Sequence, residues 1–129
     1  TLEVASFSTL SPELFLRLKD SSIKYNLTKF SFSSSEDLTN ELFLAFINSS
    51  LVDNIEYLDL VGCSQLSRES FEALAKSAHI SKLRHLDLRE CHVAMGFVTA
   101  LANNPKASNL EKVSLTSAET KKDMTISFL

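Results

Sequence analysis

With 129 residues, 44% of them apolar and 22% charged, the chain has the bulk composition of one globular domain and not that of a disordered or fibrous polymer. Two Gly, two Pro and no Trp are too few for the tight turns of a hairpin-rich sandwich, which argues against an all-β fold. The net charge of −3 gives no overall attraction to phosphate, and no uncharged run nears the ~18–20 residues that span a bilayer, so neither nucleic acid nor a membrane is expected as a partner.

Taken in chain order, the sequence changes its apolar spacing again and again from alternating to helical. A faint opening segment with Leu2, Ala5, Phe7 and Leu10 is followed by Leu14, Phe15 and Leu18 at helical spacing, with Ser11-Pro12 as the helix start and a helix predicted over 12–20. Leu27, Phe30 and Phe32 then alternate as a strand, and Leu42, Phe43 and Phe46 mark a helix over 40–48 behind a candidate N-cap, Thr39. Ile55, Leu58, Leu60 and Cys63 lead to Phe71, Leu74 and Ala75 in a helix over 68–78, with Ser67 as the matching cap. Leu83, Leu86, Leu88 and Cys91 lead to Phe97, Val98 and Leu101 in a helix over 94–103. Leu110, Val113, Leu115 and Ala118 open a last unit. There the charged stretch 119–123 interrupts the pattern, while Ile126 and Leu129 sit where Phe71 and Leu74 do and predict an incomplete helical half.

The units start near 2, 27, 55, 83 and 110, and the clearest pair is Ile55–Cys63 (IEYLDLVGC) against Leu83–Cys91 (LRHLDLREC). The L-x-x-L-x-L-x-x-C string and the period of about 28 resemble the leucine-rich repeat family, above all its ribonuclease-inhibitor-like class and the cysteine-containing class of F-box substrate receptors. The third and fourth units carry the resemblance; Phe30, Phe32 and Ser35 depart from it in the second. It implies an α/β solenoid of about 4–5 coils, with a parallel sheet on the concave face and helices on the convex face, in a single domain over 1–129. No capping module is visible at either end, so the chain is expected to be a fragment of, or a block within, a larger assembly, or else to have its terminal faces shielded by a neighbour or by a local rearrangement of the ends.

Function enters by elimination and then by surface pattern. The sequence has no Gly-rich phosphate loop, no G-x-S-x-G elbow and no C-x-x-C or H-E-x-x-H spacing, so no catalytic residue, metal site or cofactor is expected. Cys63 and Cys91 share one phase of the pattern and would stack at about one strand spacing, ~5 Å, close enough for a disulfide. They are expected instead as reduced thiols facing backbone groups inside the turn after the strand, as the resemblance implies, which favours a cytoplasmic (intracellular) protein while leaving secretion or delivery to a host open. His85 and His92 lie near Cys91, but neighbouring strand positions face opposite ways, and separate histidines are expected. Asn26-Leu27-Thr28 and Asn48-Ser49-Ser50 fit the glycosylation rule by chance, and Lys121-Lys122 reads as a solvated loop.

If Leu58 and Leu60 face the core, their neighbours face out. Stacking the units then gives three columns: Lys29, Tyr57, His85 and Lys112; Ser31, Asp59, Asp87 and Ser114; Ser33, Val61, Arg89 and Thr116. Lys29, Tyr57, Asp59, His85, Asp87, Arg89 and Lys112 are therefore the candidate partner-binding residues of a non-catalytic module that recognises a protein on its concave strands, as an adaptor, substrate receptor or host-interacting protein. The competing reading of Asp59 and Asp87 is that they only accept local hydrogen bonds. The competing reading of the whole is an architectural block, with self-association or subunit docking at its terminal coils.

Overall fold

Where apolar residues alternate the backbone forms strands, and where they recur every third or fourth residue it forms helices. The computed structural model describes residues 4–6 and 28–128, and the fold is mixed α/β. The strands are β1 (Val4–Ser6), β2 (Lys29–Ser31), β3 (Tyr57–Asp59), β4 (His85–Val93), β5 (Lys112–Ser117) and β6 (Asp123–Ser127). Among the described residues the helices are α1 (Asn40–Ile47), α2 (Arg68–Ala75) and α3 (Met95–Ala102), with a short 3-10 turn at Ser50–Val52. The helix predicted over 12–20, the side chains of the opening segment, the Asn26 acceptor site and Leu129 lie outside the described residues.

The strands form one sheet in chain order, β1-β2-β3-β4-β5-β6, and are parallel from β1 to β5. Ala5 pairs with Phe30, Phe30 with Leu58, Leu58 with Leu86 and Leu86 with Val113, which is the register expected from the spacing of the apolar residues. Register is fixed at the strand starts by shared acceptors. The Thr28 carbonyl accepts from the N–H groups of Glu56 and Tyr57, that of Glu56 from Arg84 and His85, and that of Arg84 from Glu111 and Lys112. On one face Phe30, Leu58, Leu86 and Val113, and behind them Phe32, Leu60, Leu88 and Leu115, are buried against the helices. Phe46 of α1 lies 4.9 Å from Phe30 and 5.1 Å from Phe32 between ring centroids, so the two phenylalanines that replace leucines are absorbed by an aromatic cluster.

Helix N-termini are satisfied in three different ways. Thr39 caps α1 as its sequence suggests, its hydroxyl accepting from the Leu42 N–H. Ser67 does not cap α2 with its own side chain. Asn40, the first residue of α1, reaches across instead: its amide oxygen accepts from the Ser67 N–H at 3.0 Å and from the Ser70 hydroxyl, and its amide nitrogen donates to Ser67 Oγ at 2.8 Å. Ala94 has no side chain with which to cap α3, and the Met95 N–H donates to Glu119, a residue beyond β5. Hydrogen bonds from Ser117 Oγ and its own backbone hold the Glu119 carboxyl below the usual carboxylate range.

The sheet does not end as the sequence suggests. Residues 123–127 form no helical half-unit; they turn back as β6 and pair antiparallel with β5, so the sheet is not wholly parallel. The reversal is built from local polar groups. Ser117 Oγ accepts from the Glu119 and Thr120 N–H groups, Ser117 and Lys122 close the turn through their backbones, and Lys121 takes a left-handed φ of 62°. Ile126 and Phe128 are thereby laid over the open end of the core, a cover that the charged stretch 119–123 conceals at the level of pattern.

The backbone passes through a left-handed residue at the same phase after β2, after β3 and within β4: Ser34 at φ 56°, Gly62 at 70° and Glu90 at 67°, with His92 a second such residue in β4 at 52°. Only glycine adopts this conformation without steric cost. A Cβ at Gly62 would lie 3.0 Å from Ser34 Oγ and 3.1 Å from Glu90 Oε2, so the three turns are stacked closely enough to touch.

These features set stability. Leu88 is fully buried, and Leu88→Ala is expected to cost about 2–5 kcal/mol. Glu90→Gly is expected to stabilise by roughly 0.5–1 kcal/mol, relief of the left-handed strain exceeding the added freedom of the unfolded chain, whereas Gly62→Ala should destabilise by a similar amount or more. Denaturant midpoints for the three variants measure all of this, and a destabilised Glu90→Gly would contradict the strain argument.

Candidate functional site

The face of the sheet opposite the helices carries all seven candidate residues. Lys29, Tyr57, His85 and Lys112 are direct Cα partners on successive strands and make one continuous row. Lys29 and Lys112 are exposed, Tyr57 is 37% exposed, and the Tyr57 and His85 rings lie 6.0 Å apart at an interplanar angle of 42°. Burial, and after it the nearby carboxylates of Asp87 and Asp59, raise the Tyr57 hydroxyl above its ordinary pKa, so it stays a neutral donor at physiological pH.

The next row is committed inward. Asp59 accepts from the Ser31 hydroxyl and from the Val61 N–H, both at 2.9 Å. Asp87 accepts from the Arg89 N–H and takes the Arg89 guanidinium in a fork, with Nε at 2.9 Å from one oxygen and Nη2 at 2.7 Å from the other. Local hydrogen bonding, the alternative left open by the sequence, is therefore what both aspartates do.

Two expectations change as a consequence. Asp87 is not an outward contact residue: it is only 7% exposed, because Arg89 folds back over it. Arg89 stays half-exposed, but its guanidinium is committed to that buried carboxylate, whose fork raises the Arg89 pKa. Thr116, expected on the third column's surface, is buried as well; it accepts from the Glu90 N–H and donates to Asp123.

Sequence columns alone pass over one row. Thr28, Glu56, Arg84 and Glu111 precede the candidate row by one residue, and Arg84 bridges Glu56 and Glu111, its Nη1 lying 3.5 Å from Glu56 and its Nε closer still to Glu111. The Arg84 guanidinium accordingly holds the Glu111 carboxyl below the usual carboxylate range. Together with Thr28, Lys29, Tyr57 and His85, Glu56 and Arg84 line a concavity of about 330 Å³ beside the Tyr57 ring. The alternation of charge at this phase was the available signal. A second, more apolar groove of about 580 Å³ runs between α2 and α3, with Phe71, Phe97 and Ala100 on its walls.

The cysteines face backbone, as expected for them as reduced thiols. Cys63 Sγ donates to the Phe32 carbonyl at 3.2 Å and Cys91 Sγ to the Leu60 carbonyl at 3.0 Å, and both thiols are free. Ser35, at the same phase in the preceding unit, is buried and its hydroxyl has no partner among the described residues. Among the described residues no three His, Cys, Asp or Glu side chains converge as a metal site, and Cys91 turns inward while His92 is exposed. A comparison with protein-family models, with curated proteins and with solved structures finds no match for the chain.

Burial pushes the Cys63 thiol up to about 12 and the Cys91 thiol to about 11. In the unfolded chain both ionise near pH ~8.5. The stability that each contributes is complete below that value and falls as pH rises toward the folded pKa, because only the unfolded chain releases its protons in that window. Denaturation midpoints measured upward from pH ~8.5 should therefore decline, and a Cys63→Ala/Cys91→Ala variant should lose that part of the slope. A maleimide reagent at neutral pH should label neither thiol until denaturant is added.

Proposed function

We propose that the chain is a leucine-rich-repeat solenoid of about 4–5 coils that acts as a non-catalytic protein-recognition module, holding a partner protein on its strand face in the manner of an adaptor or substrate receptor. The observation that carries this reading is the Tyr57–His85 pair: a large amphipathic ring, 37% exposed, lies against an imidazole in the middle of a sheet face that no helix among the described residues covers. Aromatic side chains at the centre of a polar surface are what protein interfaces use as anchors. In the adjoining row Asp59 is hydrogen-bonded to Ser31 and Val61 and Asp87 is neutralised by Arg89, which gives the anchor a rigid surround. The in-register stacking of Phe30, Leu58, Leu86 and Val113 supports the solenoid reading, and an extended strand surface is how such folds meet their partners.

Tyr57→Ala should weaken partner binding by more than ~1 kcal/mol with an unchanged melting profile, because it removes an anchor and not a core residue. Glu72→Ala on α2, whose carboxylate pairs with Arg68 on the helix surface, should leave binding intact. Quantitative capture from lysate with wild type and both variants, read by mass spectrometry, tests this. Proteins lost with Glu72→Ala and retained with Tyr57→Ala would move the site to the helices.

A further inference from the structure

We infer that the strand face takes an extended acidic segment of a partner protein, in which two carboxylates four residues apart flank one apolar side chain; this rests on the recognition reading above. The order of the row dictates the pattern. Lys29 and Lys112 stand at its two ends, and the Tyr57–His85 ring pair stands between them. Lys29 and Lys112 are three strand spacings apart, about 14 Å at ~4.8 Å per strand. A peptide crossing the strands in extended form rises ~3.3 Å per residue and shows alternate side chains to one side, so residues i, i+2 and i+4 face the sheet over about 13 Å. Carboxylates at i and i+4 then meet the two lysines while the side chain at i+2 rests on the rings.

The charge inventory makes those lysines the available pair. Among the described residues neither takes part in an ion pair or a side-chain hydrogen bond, whereas Arg84 is shared by Glu56 and Glu111 and Arg89 is held by Asp87. The same inventory disfavours a continuous polyanion. Asp59, which takes part in no ion pair among the described residues, lies in the row behind Tyr57, so phosphates repeated along a nucleic-acid strand would meet a carboxylate between the lysines. Two separated carboxylates would not.

The test is an NMR titration of the ¹⁵N-labelled chain with a blocked Ser-Glu-Ser-Leu-Ser-Glu-Ser peptide, its counterpart with both Glu replaced by Lys, a version with the two Glu adjacent, and short oligo-dT. The first peptide should shift the amides of Tyr57 and His85 and bind about tenfold more tightly than the Lys peptide and the adjacent-Glu peptide. Its affinity should fall between ~50 and ~300 mM salt, as screening shortens the reach of the exposed lysines. Lys29→Glu combined with Lys112→Glu should invert the preference in favour of the Lys peptide. Equal affinity for the Glu and Lys peptides, a preference that survives the double reversal, or oligo-dT shifting the same amides with the same sensitivity to the reversal would each overturn the inference. If Tyr57→Ala still abolishes capture of a partner while the Glu peptide gains nothing over the Lys peptide, the recognition reading stands and the acidic segment alone is refuted.

Discussion

Every column of side chains on this protein exists because Phe30, Leu58, Leu86 and Val113 are buried at the same height of adjacent strands. A slip of one residue in any pair would turn Tyr57 or His85 into the core and bring a leucine to the surface, and burial of apolar area opposes that strongly. The shared carbonyls of Thr28, Glu56 and Arg84 lock the same register from the backbone side. Core packing and surface chemistry are thus set by one constraint: the side chains that face solvent are adjacent to each other because the ones beneath them are.

That constraint explains which parts of the molecule the sequence could reveal. The pairing of Tyr57 with His85 follows from counting leucines, since alternation fixes both the spacing and the face. Thr39 caps α1 because its hydroxyl needs only its own helix. Ser67 and Ala94 are different: the groups that satisfy their helices come from Asn40 and Glu119, distant in the chain, and no local pattern announces them. The burial of Asp87 belongs to the same class. An aspartate two residues before an arginine on a strand reads as two exposed charges until the guanidinium is seen to fold back on the carboxylate. The turn into β6 stayed hidden because Lys121 occupies a left-handed position that glycine or asparagine would have marked.

Rigidity and exposure are divided between neighbouring rows of the open face. Asp59 and Asp87 spend their oxygens on Ser31, Val61 and Arg89, and Thr116 and Asp123 extend the network toward the last strand. The Tyr57 row, by contrast, makes no side-chain hydrogen bond among the described residues. If the proposed partner binds this face, the surface so arranged would lose little side-chain freedom at its base on association, which lowers the entropic cost of binding.

The borrowed helix caps bear on how such a chain can change length over evolutionary time. Asn40 serves a helix that begins 28 residues later, at Arg68, so on the repeat reading proposed above a unit would not be a closed block that can be copied anywhere. A tandem duplication of one period, from Thr39 to Leu66, would carry an Asn40 equivalent with it and leave each helix start served. A copy begun a few residues further on would omit that asparagine and strand the donors at Ser67 and Ser70. Recombination is thereby restricted to one phase of the sequence, and the restriction is imposed by three hydrogen bonds at a helix end and not by the leucines that define the pattern.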